Sequence, residues 1–200
     1  MLENVVRHLT GNVLPAAADY EAAEDDLSHD FAKDKSPSNW EGGARHAKRR
    51  AAELAIAIDG LTDRAHLATQ LTKSEIRRRV TSLCLWPGNG KPRLGSLERI
   101  RGVACAYRHS DLSDPTLPVS SEADVLVVGL GYGLDGYGVG KFSGAEVLIR
   151  DKQGVSWKFL GDTPVALSAW FRFLQNEGAV LPAGPYRMSN LQIHPEVANS

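Results

Sequence analysis

Apolar residues recur at helical spacing through the first half of the chain and at alternating positions in the second. Pro15 suits the first turn of a helix, after which Tyr20, Ala23, Leu27 and Phe31 fall on one stripe. The stretch Ser36-Pro37-Ser38-Asn39 interrupts it. Ser38 and Glu41 have capping-box spacing, and Trp40, Ala44, Ala47, Ala51, Leu54 and Ile58 continue as a second stripe. Gly60 is placed to stop that helix, with a short helix following over 63–70. Thr72 and Glu75 repeat the capping-box spacing ahead of Ile76, Val80, Leu83 and Cys84. Residues 87–92, rich in proline and glycine, predict a loop. Ser96 then caps a helix that carries Ile100, Val103, Ala104 and Tyr107 and ends near His109.

The period changes after residue 118. Residues 146–150 and 155–159 alternate around a turn signal at Asp151-Lys152-Gln153-Gly154. Thr163-Pro164 opens a helix with Leu167, Trp170, Phe171 and Leu174 on one face, and Gly178 ends it. The expected fold is α+β: an N-terminal helical bundle followed by a small antiparallel β-meander with a C-terminal helix. The helical lobe spans 1–112, the glycine-rich meander and helix 119–178, and an irregular tail 179–200. One compact domain is expected, with Trp40, Trp86, Trp157 and Trp170 in a shared core.

Within the meander, Asp135-Gly136 is a pair that supplies the positive φ angles of a two-residue hairpin turn. Folding there sets Gly133 opposite Gly138 and Gly131 opposite Gly140, so one ribbon face is bare backbone. The other face holds Tyr132, Leu134, Tyr137 and Val139. A bare face marks a place where something approaches the backbone closely. Gly131, Gly133, Gly138, Gly140, Tyr132, Tyr137 and Lys141 are therefore candidate binding residues for a partner chain or small molecule. Gly131, Gly133 and Gly136 also satisfy G-x-G-x-x-G, but that fingerprint must open a helix. More glycine follows here, then strand. The phosphate-loop pattern fails too, because Phe142 follows Gly140-Lys141.

Net charge is −1 but unevenly spread. Residues 1–40 hold 8 acidic and 3 basic side chains, residues 41–108 hold 6 and 14, and residues 109–200 hold 10 and 6. A basic middle between acidic ends suits internal matching or a polyanion. The clusters Arg45 to Arg50 and Arg77-Arg78-Arg79 spread around their helices and lack interleaved aromatics for base stacking. Two isolated cysteines, Cys84 and Cys105, and the lack of a signal-like or membrane-spanning apolar run lead us to expect a cytoplasmic protein with no membrane partner.

Arg108-His109 at a helix end is the main candidate for chemistry. Histidine is the side chain that changes charge near neutral pH, and an adjacent arginine can hold a phosphate while it handles a proton. His109, Asp111 and Asp114 also carry metal-ligating atoms. No second cluster with ligand spacing accompanies them, and His8, His29, His46, His66 and His194 are scattered, so no metal and no cofactor is expected. Neither a nucleophile elbow nor H-E-x-x-H is present.

The stretch LERIRGVACAYRHSDL at 97–112 resembles the signature helix of HEPN-type proteins, a helical superfamily rich in metal-independent ribonucleases. The resemblance assigns His109 to the family histidine and Arg101 to its arginine. Seven residues separate the two, more than is usual there, and Gly102 stands where a polar residue is common. It implies an RNA-directed activity in which His109 acts as general acid or base while Arg101 and Arg108 hold the phosphate. A homodimer bringing two such helices together would fit. The alternative is a non-catalytic module that binds a protein partner or small molecule through the glycine ribbon.

Overall fold

The computed structural model describes residues 2–87, 89–109, 114–129 and 144–193. Its helices are α1 (Glu3–His8), α2 (Leu14–Lys33), α3 (Pro37–Ala68), α4 (Lys73–Ser82), α5 (Ser96–Arg108) and α6 (Phe159–Asn176). Strands β1 (Val125–Gly129), β2 (Ala145–Arg150) and β3 (Ser156–Lys158) pair antiparallel in chain order, and β4 (Arg187–Met188) pairs with β5 (Leu191–Gln192). The fold is α+β, with the helices first. The glycine-ribbon residues Gly131, Gly133, Gly138, Gly140, Tyr132, Tyr137 and Lys141, together with Asp111, lie outside the described residues.

Helices α1 and α2 are joined by a π-helical turn, Leu9–Val13, so Pro15 sits just inside a longer helical run. Proline removes one backbone donor and crowds the carbonyl four residues back. A wider turn immediately before it accommodates both effects. The first stripe packs as its spacing predicts: Tyr20, Ala23 and Leu27 are buried, Leu27 beside Gly43 of α3 and Tyr20 edge-on to Phe159.

Helix α3 departs from expectation. It runs unbroken for 32 residues, through Gly60 and across 63–68. Its N-cap is Ser36 and no side chain caps it, so Ser38 and Glu41 form no capping box. The box at Thr72 and Glu75 does form: each side chain bonds the other's backbone N–H. Helix α5 is preceded by Gly95 at φ +78°, and Ser96 is its first residue rather than its cap. The Ser96 hydroxyl bonds the Arg93 carbonyl and the Asp162 carboxylate instead.

One hydrophobic cluster extends from Val5 on α1 to Ile193 after β5, and it includes α3, α5, α6 and the sheet. All but the last residue of β2 are buried, because α2 and α6 both pack against this central strand. Only Trp170 of the four tryptophans is fully buried. Trp40 packs edge-on against Phe31, while Trp86 and Trp157 stack on arginines. Helix α6 starts at Phe159, ahead of the expected Thr163-Pro164 opening. The tail is not wholly irregular, since Ser189 and Asn190 at positive φ turn β4 into β5.

Gly102 explains how α5 meets the chain at Val119. A Cβ at this position would stand 2.8 Å from Val119 Cγ2 and 3.0 Å from Val119 Cβ. Val119 is branched next to its backbone and cannot swing away. Gly102→Ala is therefore expected to destabilise by about 1–3 kcal/mol. Urea unfolding checks this, and Val119→Ala added to it should recover part of the loss.

Candidate functional site

The C-terminal end of α5 brings together more charge than its own sequence carries. The helix buries Leu97, Ile100, Val103 and Ala104, which turns Arg101 and Arg108, two turns apart, to the same outer side. His109 is the C-cap in an extended conformation; its backbone N–H donates to the Cys105 carbonyl at 3.0 Å, and its side chain is exposed.

The two arginines are held by different carboxylates. Arg101 Nη2 donates to Asp114 Oδ2 at 2.9 Å. Two bonds from Thr116, and then Arg101, hold the Asp114 carboxyl down at about 2. Arg108 reaches across to Asp59 on α3 and also donates Nε to the Ala104 carbonyl at 3.2 Å. Of the three residues named from sequence, Arg101 and Arg108 thus share one helix side and His109 follows at its end, without converging on a single point.

Around Arg108 a mixed cluster forms from three helices. Asp63, one turn after Asp59 on α3, pairs with Lys73 of α4 at 2.7 Å. The Lys73 bond chiefly holds its carboxyl below the usual range, with Arg77 and Arg108 adding to the effect. Arg77 Nε is buried and finds no acceptor among the described residues. Lys73, Arg77 and Arg108 therefore face two aspartates, and the exposed His109 follows Arg108 in the chain. An excess of one cation at a helix end can take an anionic oxygen. The C-terminus of a helix dipole opposes anion binding, so the side chains must supply all of the attraction.

Several other cations of the basic middle are matched internally. Arg50 reaches Asp19 at 3.7 Å and Lys48 reaches Glu122 at 3.8 Å, while Arg79 pairs with Glu177 at 2.7 Å. Arg45 and Arg49 pair with Glu41 and Glu53 on their own helix. Burial pushes the Cys84 thiol up to about 12, which makes it a poor nucleophile.

Sequence reasoning missed Asp59, Asp63, Lys73 and Arg77 as the cluster around Arg108. The spacing of Asp59 and Asp63 places both on one side of α3, but only packing decides that this side meets the ends of α4 and α5. No family model, curated protein or solved structure matches the chain, so geometry carries the functional reading.

Proposed function

We propose that the end of α5 binds a phosphodiester and that the protein cleaves RNA without a metal. The carrying observation is the excess of Lys73, Arg77 and Arg108 over Asp59 and Asp63, with the exposed His109 directly following Arg108 in the chain. Arg108 and Arg77 would hold the phosphate, and Arg101 would exchange Asp114 for a neighbouring phosphate. His109 would take the proton of an attacking 2′ hydroxyl or give one to the leaving 5′ oxygen. The resemblance of residues 97–112 to the HEPN helix points to the same chemistry.

The test is incubation of the purified protein with total RNA in excess chelator, beside His109→Ala. Cleavage is expected from the native chain and should fall by about 10²–10⁴-fold in the variant. Cleavage by neither, or equally by both, overturns the reading. The glycine-rich connection between β1 and β2 then becomes the place to search for a partner.

A further inference from the structure

Helix α3 carries two neighbouring lines of side chains. Asp59 and Asp63 stand on the line that meets Arg108 and Lys73. Gly60, Arg64 and Leu67 stand on the next, about 100° round the helix. His8 of α1 crosses α3 at Gly60, where a Cβ would lie 3.6 Å from His8 Nε2. That nitrogen donates to the Ala57 carbonyl at 3.0 Å. The contact fixes α1 against α3, and a groove of about 800 Å³ lies between the two helices.

Asp63 ties this groove to the cluster around Arg108. It lines the groove, and Lys73 holds its carboxylate at 2.7 Å. The charges of Arg77 and Arg108 also help to keep its carboxyl below the usual range. The groove therefore adjoins the α5 end. Its own side chains suit a nucleic-acid strand. Arg64 is exposed, donates to the Gly60 carbonyl at 3.3 Å and pairs with no carboxylate among the described residues. Arg7 pairs with the exposed Glu3 at 3.3 Å, a surface contact worth little. Across groove and cluster, Arg7, Arg64, Lys73, Arg77 and Arg108 outnumber Glu3, Asp59 and Asp63. Asn4 and Asn12 line the groove with exposed amides, each both donor and acceptor. Leu67, 84% exposed, gives it an apolar wall.

We infer that this groove continues the α5-end site and holds the nucleotides flanking the cleaved phosphodiester, so that the substrate is single-stranded RNA. Arg64 and Arg7 take neighbouring phosphates, Asn4 and Asn12 meet base edges, and a base lies against Leu67. A basic groove with an apolar platform is how proteins hold single strands. Only an unpaired strand turns its base edges toward protein amides. The inference rests on the RNA reading of the α5 end.

The test uses His109→Ala, which keeps the RNA intact, titrated with a fluorescent single-stranded RNA dodecamer and, by competition, with a dinucleotide. The dodecamer is expected to bind at least tenfold more tightly than the dinucleotide or a duplex of the same length. Adding Arg64→Gln removes one phosphate contact. It should weaken the dodecamer about fivefold near 0.1 M salt and flatten the logarithmic salt slope by about 0.7. The dinucleotide affinity and the melting temperature should not change. Arg64→Lys should restore most of the loss, and Arg108→Gln should weaken both ligands. Glu3→Gln, which frees Arg7, should tighten the dodecamer, a gain that unfolding cannot mimic. Dodecamer binding weakened by Arg108→Gln but indifferent to Arg64→Gln overturns the groove while the α5-end reading stands. No RNA binding, or binding indifferent to Arg108→Gln, overturns both. Displacement of the dodecamer by polyglutamate as readily as by unlabelled RNA would make the groove a surface for acidic protein and also overturns the inference.

Discussion

Asp162→Asn is expected to lower stability by about 3–5 kcal/mol, read from urea unfolding, because it removes one partner of a buried ion cluster. Asp162 is fully buried in the first turns of α6. Its Oδ1 accepts from Arg93 Nε at 2.7 Å, Arg99 Nη2 at 2.8 Å and Ser96 Oγ at 2.9 Å. Its Oδ2 accepts from Arg99 Nε at 2.7 Å. Both guanidiniums are nearly buried and lie over indole rings, Arg99 3.9 Å from the Trp157 centroid and Arg93 4.9 Å from that of Trp86. Asparagine keeps the shape but removes the charge, and its amide turns a donor toward one guanidinium. The cluster ties the segment before α5 to the start of α6, so the loss should appear in global unfolding. A cost below about 1 kcal/mol would sink the idea that this carboxylate neutralises both arginines.

Lys158→Met should cost a similar amount, about 3–5 kcal/mol. Lys158 Nζ lies 2.9 Å from Glu146 Oε2, and both side chains are nearly buried. Close by, the fully buried Glu24 accepts from the Tyr20 hydroxyl at 2.7 Å and from the Val147 N–H at 3.1 Å. Burial, then Glu24 and finally Glu146 push the Tyr20 phenol well above its ordinary value. Removing the lysine alone breaks a buried charge pair, whereas removing both charges does not leave one of them unmatched. Urea unfolding should show Lys158→Met combined with Glu146→Gln closer to the native chain than Lys158→Met alone. A double variant as unstable as the single one would refute the charge-pair account.

Local patterns were legible wherever a side chain's role depended on near neighbours. The Thr72–Glu75 box, the Asp151 turn, the stripe through Trp170 and the glycine after α6 each involve residues a few positions apart. Gly178 at φ +77° closes α6 as its residue type predicts. Patterns failed where a residue type had two uses. Gly60 reads as a helix stop until the His8 ring is seen lying over it. Pro164 reads as a helix opening, yet it sits inside α6, where the Thr163 hydroxyl donates to the Phe159 carbonyl at 2.8 Å. Trp86 and Trp157 read as core, yet they lie against charged groups.

The α+β class with helices first, the apolar stripes, the basic middle and the histidine ending α5 belong to the sequence alone, because helical and strand periods and capping act over a turn or two. The joining of Arg93 and Arg99 to Asp162, of α2 to β2 through Glu24, and of His8 to Gly60 belongs to the tertiary structure. Each links residues about fifty or more positions apart. Such pairs form only when apolar faces have packed and removed water from the polar atoms between them. A buried charge or lone pair then needs a particular partner, and which partner lies within reach is set by the packing of the helices.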